Sequence, residues 1–130
     1  MPTEKDLSKY RLEQAAQCLK DAKMLLENDS CKSAANRSYY CVFHSMRSLL
    51  ALENLDFKRH KGIISHFRKT YIKSKILGER LSDILDDLFG VRSASDYDDF
   101  YLISKQETTE QIANAEYFYT QIKAYLENRD

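Results

Sequence analysis

Hydrophobic residues recur at three- and four-residue steps along most of the chain. This spacing is close to the 3.6-residue turn of an α-helix, and polar residues fill the positions between. The pattern predicts helices over residues 4–28, 32–53 and 60–72, a fourth beginning near residue 79, and a fifth ending near residue 128. Polar or basic segments separate them. Four of these helices are long and the third is short.

Each helix has a predicted inward face, and Ser104 with Glu107 predicts a capping box at the start of the last helix. The first helix turns Leu7, Tyr10, Ala15, Leu19, Ala22, Leu25 and Leu26 inward. The second turns Ala35, Tyr39, Val42, Phe43, Met46, Leu49 and Leu50 inward. The last turns Ile112, Ala115, Tyr119, Ile122 and Leu126 inward.

The scarcity of turn residues decides the fold class. One proline and three glycines are too few for the many turns of a sandwich or barrel, and no two glycines lie close enough for a phosphate-binding glycine loop. We therefore predict an all-α fold: one domain over residues 1–130, built as an up-and-down antiparallel bundle of about five helices.

The charge balance limits the partners. Lysine and arginine number 20, and so do aspartate and glutamate, so the net charge is zero. This balance argues against general nucleic-acid or membrane coating but allows a local basic site.

No apolar run reaches the ~18 residues of a membrane span. The start is polar, and the three cysteines lack metal spacing. We expect a cytoplasmic protein without membrane contact, metal or cofactor.

One face of the second helix carries candidate chemistry. Arg37, Tyr40, His44 and Arg47 fall within about 80° of one another, roughly opposite the apolar face. Arginine offers a planar fork that suits phosphate, and tyrosine can stack on a base or hydrogen-bond to it. The competing interpretation is a solvated face with a satisfied histidine.

A second group of residues follows the apolar stripe of the fourth helix. Arg92 can pair with Asp96 at the end of this helix, or it can lie beside the second helix and bind phosphate. Asp96, Asp98 and Asp99 do not have the spacing of a calcium loop, which argues against a metal site here. His60 opens the third helix and is expected to cap it or to bond between helices.

These residues carry a resemblance to the HEPN-domain family. It rests on residues 36–44 (NRSYYCVFH), 49–53, 60–67 and 92–98, and on the tyrosine-rich last helix. The resemblance runs from about Leu7 to Leu126. It implies a five-helix bundle, a homodimer and a small nucleotidyltransferase partner in a prokaryotic toxin–antitoxin or defence pair. Many members are metal-independent endoribonucleases that use an arginine followed four to six residues later by histidine.

The chain departs from that catalytic motif. Arg92 is present, but no histidine occurs after His66, and Asp96 and Tyr97 stand where it would fall. Histidine transfers protons well near pH 7, whereas tyrosine, with a pKa near 10, is a poor base. His44 is a candidate substitute. Tyr97 is a candidate for adenylylation by the partner, which the resemblance alone suggests.

Three functions remain open. The first is a nucleotide- or RNA-binding module in which Arg37, Tyr40, His44, Arg47 and Arg92 hold phosphate and base, with Asp96 and Tyr97 at the edge of the site. The second is an endoribonuclease that uses Arg92, with His44 as its base. The third is a structural helical adaptor. The missing histidine favours the first. A surplus of tyrosine on the last helix fits a homodimer, because tyrosine is enriched at interfaces.

Overall fold

The structure, a computed structural model, describes residues 2–97 and 102–129, without the side chains of residues 94–97. In these ranges the chain forms five α-helices and a π-helical turn, with no strand: α1 (Glu4–Glu27), α2 (Cys31–Leu52), α3 (His60–Phe67), the π-turn (Arg68–Ile72), α4 (Arg80–Tyr97) and α5 (Lys105–Glu127). The all-α prediction is confirmed. None of the described helices is long and apolar enough to cross a membrane.

α1 and α2 form an antiparallel hairpin. A three-residue turn joins them, in which Asp29 adopts a positive φ of 59°. Far from this turn, Arg11 of α1 donates from Nη1 to the Arg47 carbonyl of α2 at 3.2 Å. The two helices therefore run side by side for most of their length.

α2 is the central helix of the bundle. Its predicted inward residues are all buried, and α1, α3, α4 and α5 all pack against it. Several of its serines are also buried, and they are accommodated because each hydroxyl donates to a carbonyl of its own helix: Ser38, Ser45 and Ser48. Because α2 is covered on most sides, only a narrow part of its circumference reaches the surface.

α5 packs against α1 in the opposite direction. Lys105, at the start of α5, bonds to Asp29 beyond the end of α1, and Lys23 bonds to Glu116 at 2.8 Å. Ile112, Ala115 and Ile122 are buried as predicted, together with Phe118, while Tyr119 and Leu126 are half-buried.

The N-termini of α1 and α5 are capped differently. The Ser104 hydroxyl accepts from the Glu107 amide at 3.0 Å, but the Glu107 carboxylate accepts from the Ser104 hydroxyl, so the predicted reciprocal box is only half formed. The full capping box lies at α1, where Thr3 and Asp6 bond to each other's backbone amides.

Two predicted inward positions of α1 are wrong. Leu7 and Tyr10 are 41% and 57% exposed, and Ser8 and Arg11 are buried instead. The buried face of α1 includes Arg11 because its guanidinium donates to the α2 backbone. The apolar spacing alone pointed to the neighbouring residues.

The predicted third helix is not α-helical throughout. It changes at Arg68 into a π-turn that ends at Ile72. Tyr71 and Ile72, although adjacent in sequence, are both buried in this turn. The Tyr71 hydroxyl donates to the Glu53 carboxylate at 2.9 Å, which ties the turn to the end of α2.

Phe67 offers a test of the core. Its side chain is fully buried, and its ring centroid lies 5.4 Å from that of Phe118 and 5.7 Å from that of Tyr71. We expect Phe67→Ala to lower the free energy of unfolding by about 3–5 kcal/mol, because it leaves a cavity between helices. Urea denaturation measures this loss. Leu102→Ala is the control: this side chain is 90% exposed, and its loss should change stability by less than about 0.5 kcal/mol.

Candidate functional site

α2 reaches the surface along one strip. Between residues 34 and 51, the side chains that are not buried are those of Asn36, Arg37, Tyr40, His44 and Arg47. We call the last four the cationic strip. Their spacing of three, four and three residues keeps them on one side of the helix, as the sequence predicted.

Arg92 of α4 lies against this strip. Its Cζ is 4.8 Å from the ring centroid of Tyr39 and 5.6 Å from that of Tyr40. Its Nη2 also donates to the Tyr40 hydroxyl at 3.4 Å. The structure thus brings Arg92 beside α2. The side chains of Asp96 and Tyr97 lie outside the described residues, so their predicted roles stay predictions.

Arg37 is the second arginine that contacts the ring of Tyr40. Its Cζ lies 5.0 Å from the ring centroid. Its Nη2 and Nε donate to the Asn36 amide oxygen at 2.8 and 3.3 Å, which fixes the plane of the guanidinium. Tyr40 therefore supports guanidinium groups from two helices through cation–π contacts.

Asp56 partly balances the charge at the far end of the strip. Arg47 donates to its carboxylate at 3.2 Å, and Arg11 lies 3.6 Å from the same oxygen. Sequence reasoning missed Arg11. Its position in the three- and four-residue step of the buried α1 residues was the available signal, since a charged residue there needs a buried partner.

His60 of α3 joins the same cluster. Its Nδ1 lies 2.9 Å from the Tyr39 hydroxyl, and its ring centroid lies 4.0 Å from that of Phe43. This is one of the two roles that the sequence allowed for it, a bond between helices. Its place beside the cationic strip was not anticipated, because the connection before α3 has no periodic pattern that would orient it.

Burial and positive charge disfavour protonation of both histidines. Burial lowers the pKa of His44 below its ordinary value of 6.5, and the neighbouring arginines of α1 and α2 lower it further. Burial, followed by Arg92 and Arg47, lowers the pKa of His60. Burial also raises the pKa of Tyr39 to about 12. Both imidazoles are therefore neutral at pH 7.

The tautomer of His60 is linked to the direction of its bond with Tyr39. Tyr39 keeps its proton at neutral pH, and when its hydroxyl donates to Nδ1 the N–H of the ring is on Nε2. A neutral imidazole in this state is a hydrogen-bond donor at one nitrogen only.

The cluster has the chemistry of an anion site. Guanidinium groups from three helices, two neutral imidazoles and two phenols lie together on one side of the bundle. Arginine binds phosphate through paired N–H donors. Within the described part of the chain, no group of three or more His, Cys, Asp or Glu side chains could hold a metal ion.

The histidine environment can be tested by titration. We expect His44 and His60 to titrate below pH 6.5 in the folded protein, as followed by the ring proton signals in NMR spectra. The unfolded chain binds these protons more readily, so the free energy of unfolding should fall as the pH drops from 6.5 towards the folded-state pKa values. His44→Gln should remove part of this dependence. A titration of either ring above 6.5 would contradict the electrostatic account.

Comparison with known proteins places the chain among relatives of similar size. A UPF0332 protein of Thermotoga maritima is 29% identical over 128 residues, which cover 98% of this chain and 97% of the relative. Two proteins of Methanocaldococcus jannaschii that carry the name "putative toxin" are 32% and 27% identical over 115 residues. These alignments cover 88% of this chain, and 85% and 78% of the two relatives.

A family model supports the same assignment. The model described as the HEPN domain matches residues 8–125, which include all five α-helices in whole or in large part. The match also spans every residue of the cationic strip, together with Arg11, His60 and Arg92. The resemblance first noted in residues 36–44 is thereby confirmed, and the chain belongs to the HEPN-domain family.

Proposed function

We propose that this protein binds the phosphate groups of a nucleotide or RNA at the cationic strip and Arg92. The observation that carries the proposal is the convergence of Arg37 and Arg92, from separate helices, on the ring of Tyr40. Arginine side chains stacked this way are held in place before a ligand arrives, so less conformational entropy is lost on binding.

The surroundings of Arg37 favour a ligand with negative charge. Its Nε and Nη2 donate to the neutral Asn36 amide, and His44, the histidine of the strip, is itself neutral. A phosphate beside these groups would gain charge-assisted hydrogen bonds. It would also raise the pKa of His44 towards its ordinary value, because a nearby anion favours the protonated form.

The structural-adaptor alternative fits this surface less well. A docking face for another protein ordinarily has an apolar centre from which charged residues are depleted. Here the part of α2 that reaches solvent carries two arginines and a histidine, and the large apolar residues of the helix are buried.

The cellular role is part of the proposal. Two relatives carry the name "putative toxin", which supports a role in a toxin–antitoxin or defence pair. The small nucleotidyltransferase partner and the homodimer are supported by the family resemblance. The half-buried Tyr117, Tyr119 and Tyr125 of α5 are compatible with an interface.

Binding can be measured with a fluorescein-labelled RNA oligomer by fluorescence anisotropy. We expect Arg37→Ala and Arg92→Ala each to weaken binding about tenfold, since each removes about 1.4 kcal/mol of charge-assisted contact. Wild-type affinity should also fall as salt rises. Arg129→Ala removes an exposed arginine from the chain end after α5 and is the matched control. Equal affinities for wild type and both site variants would refute the proposal.

A second candidate function is RNA cleavage with His44 as the base. The observation that favours it is the neutral imidazole of His44, whose pKa is lowered by burial and by Arg47 and Arg37. A neutral imidazole can take the proton of a ribose 2′-hydroxyl as that oxygen attacks the adjacent phosphorus. The 5′-oxygen then leaves with a proton from water, giving a 2′,3′-cyclic phosphate and a 5′-hydroxyl, and the protonated His44 returns its proton to the resulting hydroxide. Arg92 would stabilise the charge that develops on the phosphate oxygens.

This candidate predicts cleavage in the presence of a metal chelator. His44→Ala should slow cleavage by about 10²–10⁴-fold, the usual contribution of a general base. Gel electrophoresis separates the fragments, and mass spectrometry identifies the cyclic phosphate end. If His44→Ala cleaved RNA as fast as wild type, His44 would not be the base, and binding without cleavage would remain the proposed function.

A further inference from the structure

We propose that the site recognises phosphate chains without reading the base, so that RNA of any sequence and inorganic polyphosphate belong to one ligand class. The inference rests on the proposed function and specifies its ligand. It departs from the expectation that Tyr40 stacks on a base. The aromatic rings around the cationic strip are already packed against other groups, which leaves little room for a base.

Two of these rings are not accessible to a base. Tyr39 is 1% exposed and Phe43 is 6% exposed. They also pack against each other, with ring centroids 6.1 Å apart and planes inclined by 15°. Neither ring can offer a face to a ligand unless the core opens.

Tyr40 is half-buried, but its surroundings are already occupied. The guanidinium groups of Arg37 and Arg92 lie over the ring. Tyr39, Phe43 and His60 surround it in edge-on contacts, with interplanar angles of 86°, 84° and 88°. A base that stacked on Tyr40 would compete with these arginines for the ring, and an arginine that it displaced would no longer be held to bind phosphate.

His60 is engaged in a similar way. Its ring lies 4.0 Å from the Phe43 centroid and 5.9 Å from the Tyr39 centroid, with planes inclined by 32° and 21°. The bond to Tyr39 holds it in this orientation. Its free edge, rather than a free face, is therefore available to a ligand.

The same packing leaves the arginines suited to phosphate. A guanidinium carries several N–H donors around its edge, and the bonds of Arg37 to Asn36 use only its Nε and one hydrogen of Nη2. Those donors match the oxygens of a phosphate group, which every nucleotide carries regardless of its base. Affinity should then depend on the number of phosphates and on salt, as for other backbone contacts.

A neighbouring groove offers another surface on which a base could pack. It lies between α3 and α4, has a volume of about 610 Å³, and is lined in part by Ile64, Leu85, Phe89 and Gly90. A Cβ added at Gly90 would meet no atom within 4 Å, so Gly90→Leu places an apolar side chain on the lining of this groove without a clash at its Cβ. This variant therefore distinguishes a base in the groove from recognition of phosphate alone.

The test compares four ligands with the whole protein: oligoadenylate, oligouridylate, an abasic ribose-phosphate oligomer of equal length, and tripolyphosphate. Competition against a labelled oligomer, followed by fluorescence anisotropy, gives the affinities. We expect the three oligomers to bind within about threefold of one another, because stacking of a single base ordinarily adds about fivefold or more. Tripolyphosphate should compete, and Arg37→Ala should weaken all four ligands by the same factor.

Two variants refine the result. Tyr40→Leu should weaken all ligands equally, since it removes the support of the arginines, and Gly90→Leu should leave all affinities unchanged. An abasic oligomer that binds tenfold or more weaker than oligoadenylate would overturn the inference. So would a base preference that disappears in Gly90→Leu or in Tyr40→Leu. If none of the four ligands bound, the proposed function itself would fail.

Discussion

The burial of α2 is the constraint on which the rest of the structure depends. Four other α-helices pack against it, and its large apolar side chains are almost completely enclosed. A central helix of this kind can reach solvent only where no neighbour covers it. The residues along that opening are Arg37, Tyr40, His44 and Arg47, so the same packing that forms the core defines the candidate site.

The site concentrates like charges that would ordinarily repel one another. Asp56 compensates Arg47 and Arg11 at one end, while Arg37 and Arg92 gain cation–π contacts with Tyr40, each worth about 0.5–2 kcal/mol. Burial first, and then these arginines, lower the pKa values of His44 and His60, so both rings give up their charge in this cluster. An arrangement that disfavours further positive charge favours a bound anion for the same electrostatic reason.

The sequence predicted much of this arrangement, and its successes and failures have physical reasons. The inward face of α2 and the opposite polar strip were both predicted, because every third or fourth residue of a long helix shares one side. Leu7 and Tyr10 were misplaced because the hydrophobic pattern could not show that Arg11 bonds to the α2 backbone. The π-turn at Arg68 and the approach of His60 to Phe43 depend on contacts between helices, which periodicity within one helix does not record.

The phosphate site on α2 is tested most directly by an NMR titration of the arginine Nε–H signals with tripolyphosphate. We expect the signals of Arg37, Arg92 and Arg47 to move together, and those of Arg80 and Arg129 to stay in place. A common binding curve for the three moving signals would show one site built from α2 and α4. Signals that all remain unmoved, or that move only at Arg80 or Arg129, would contradict a phosphate site on the exposed strip of α2.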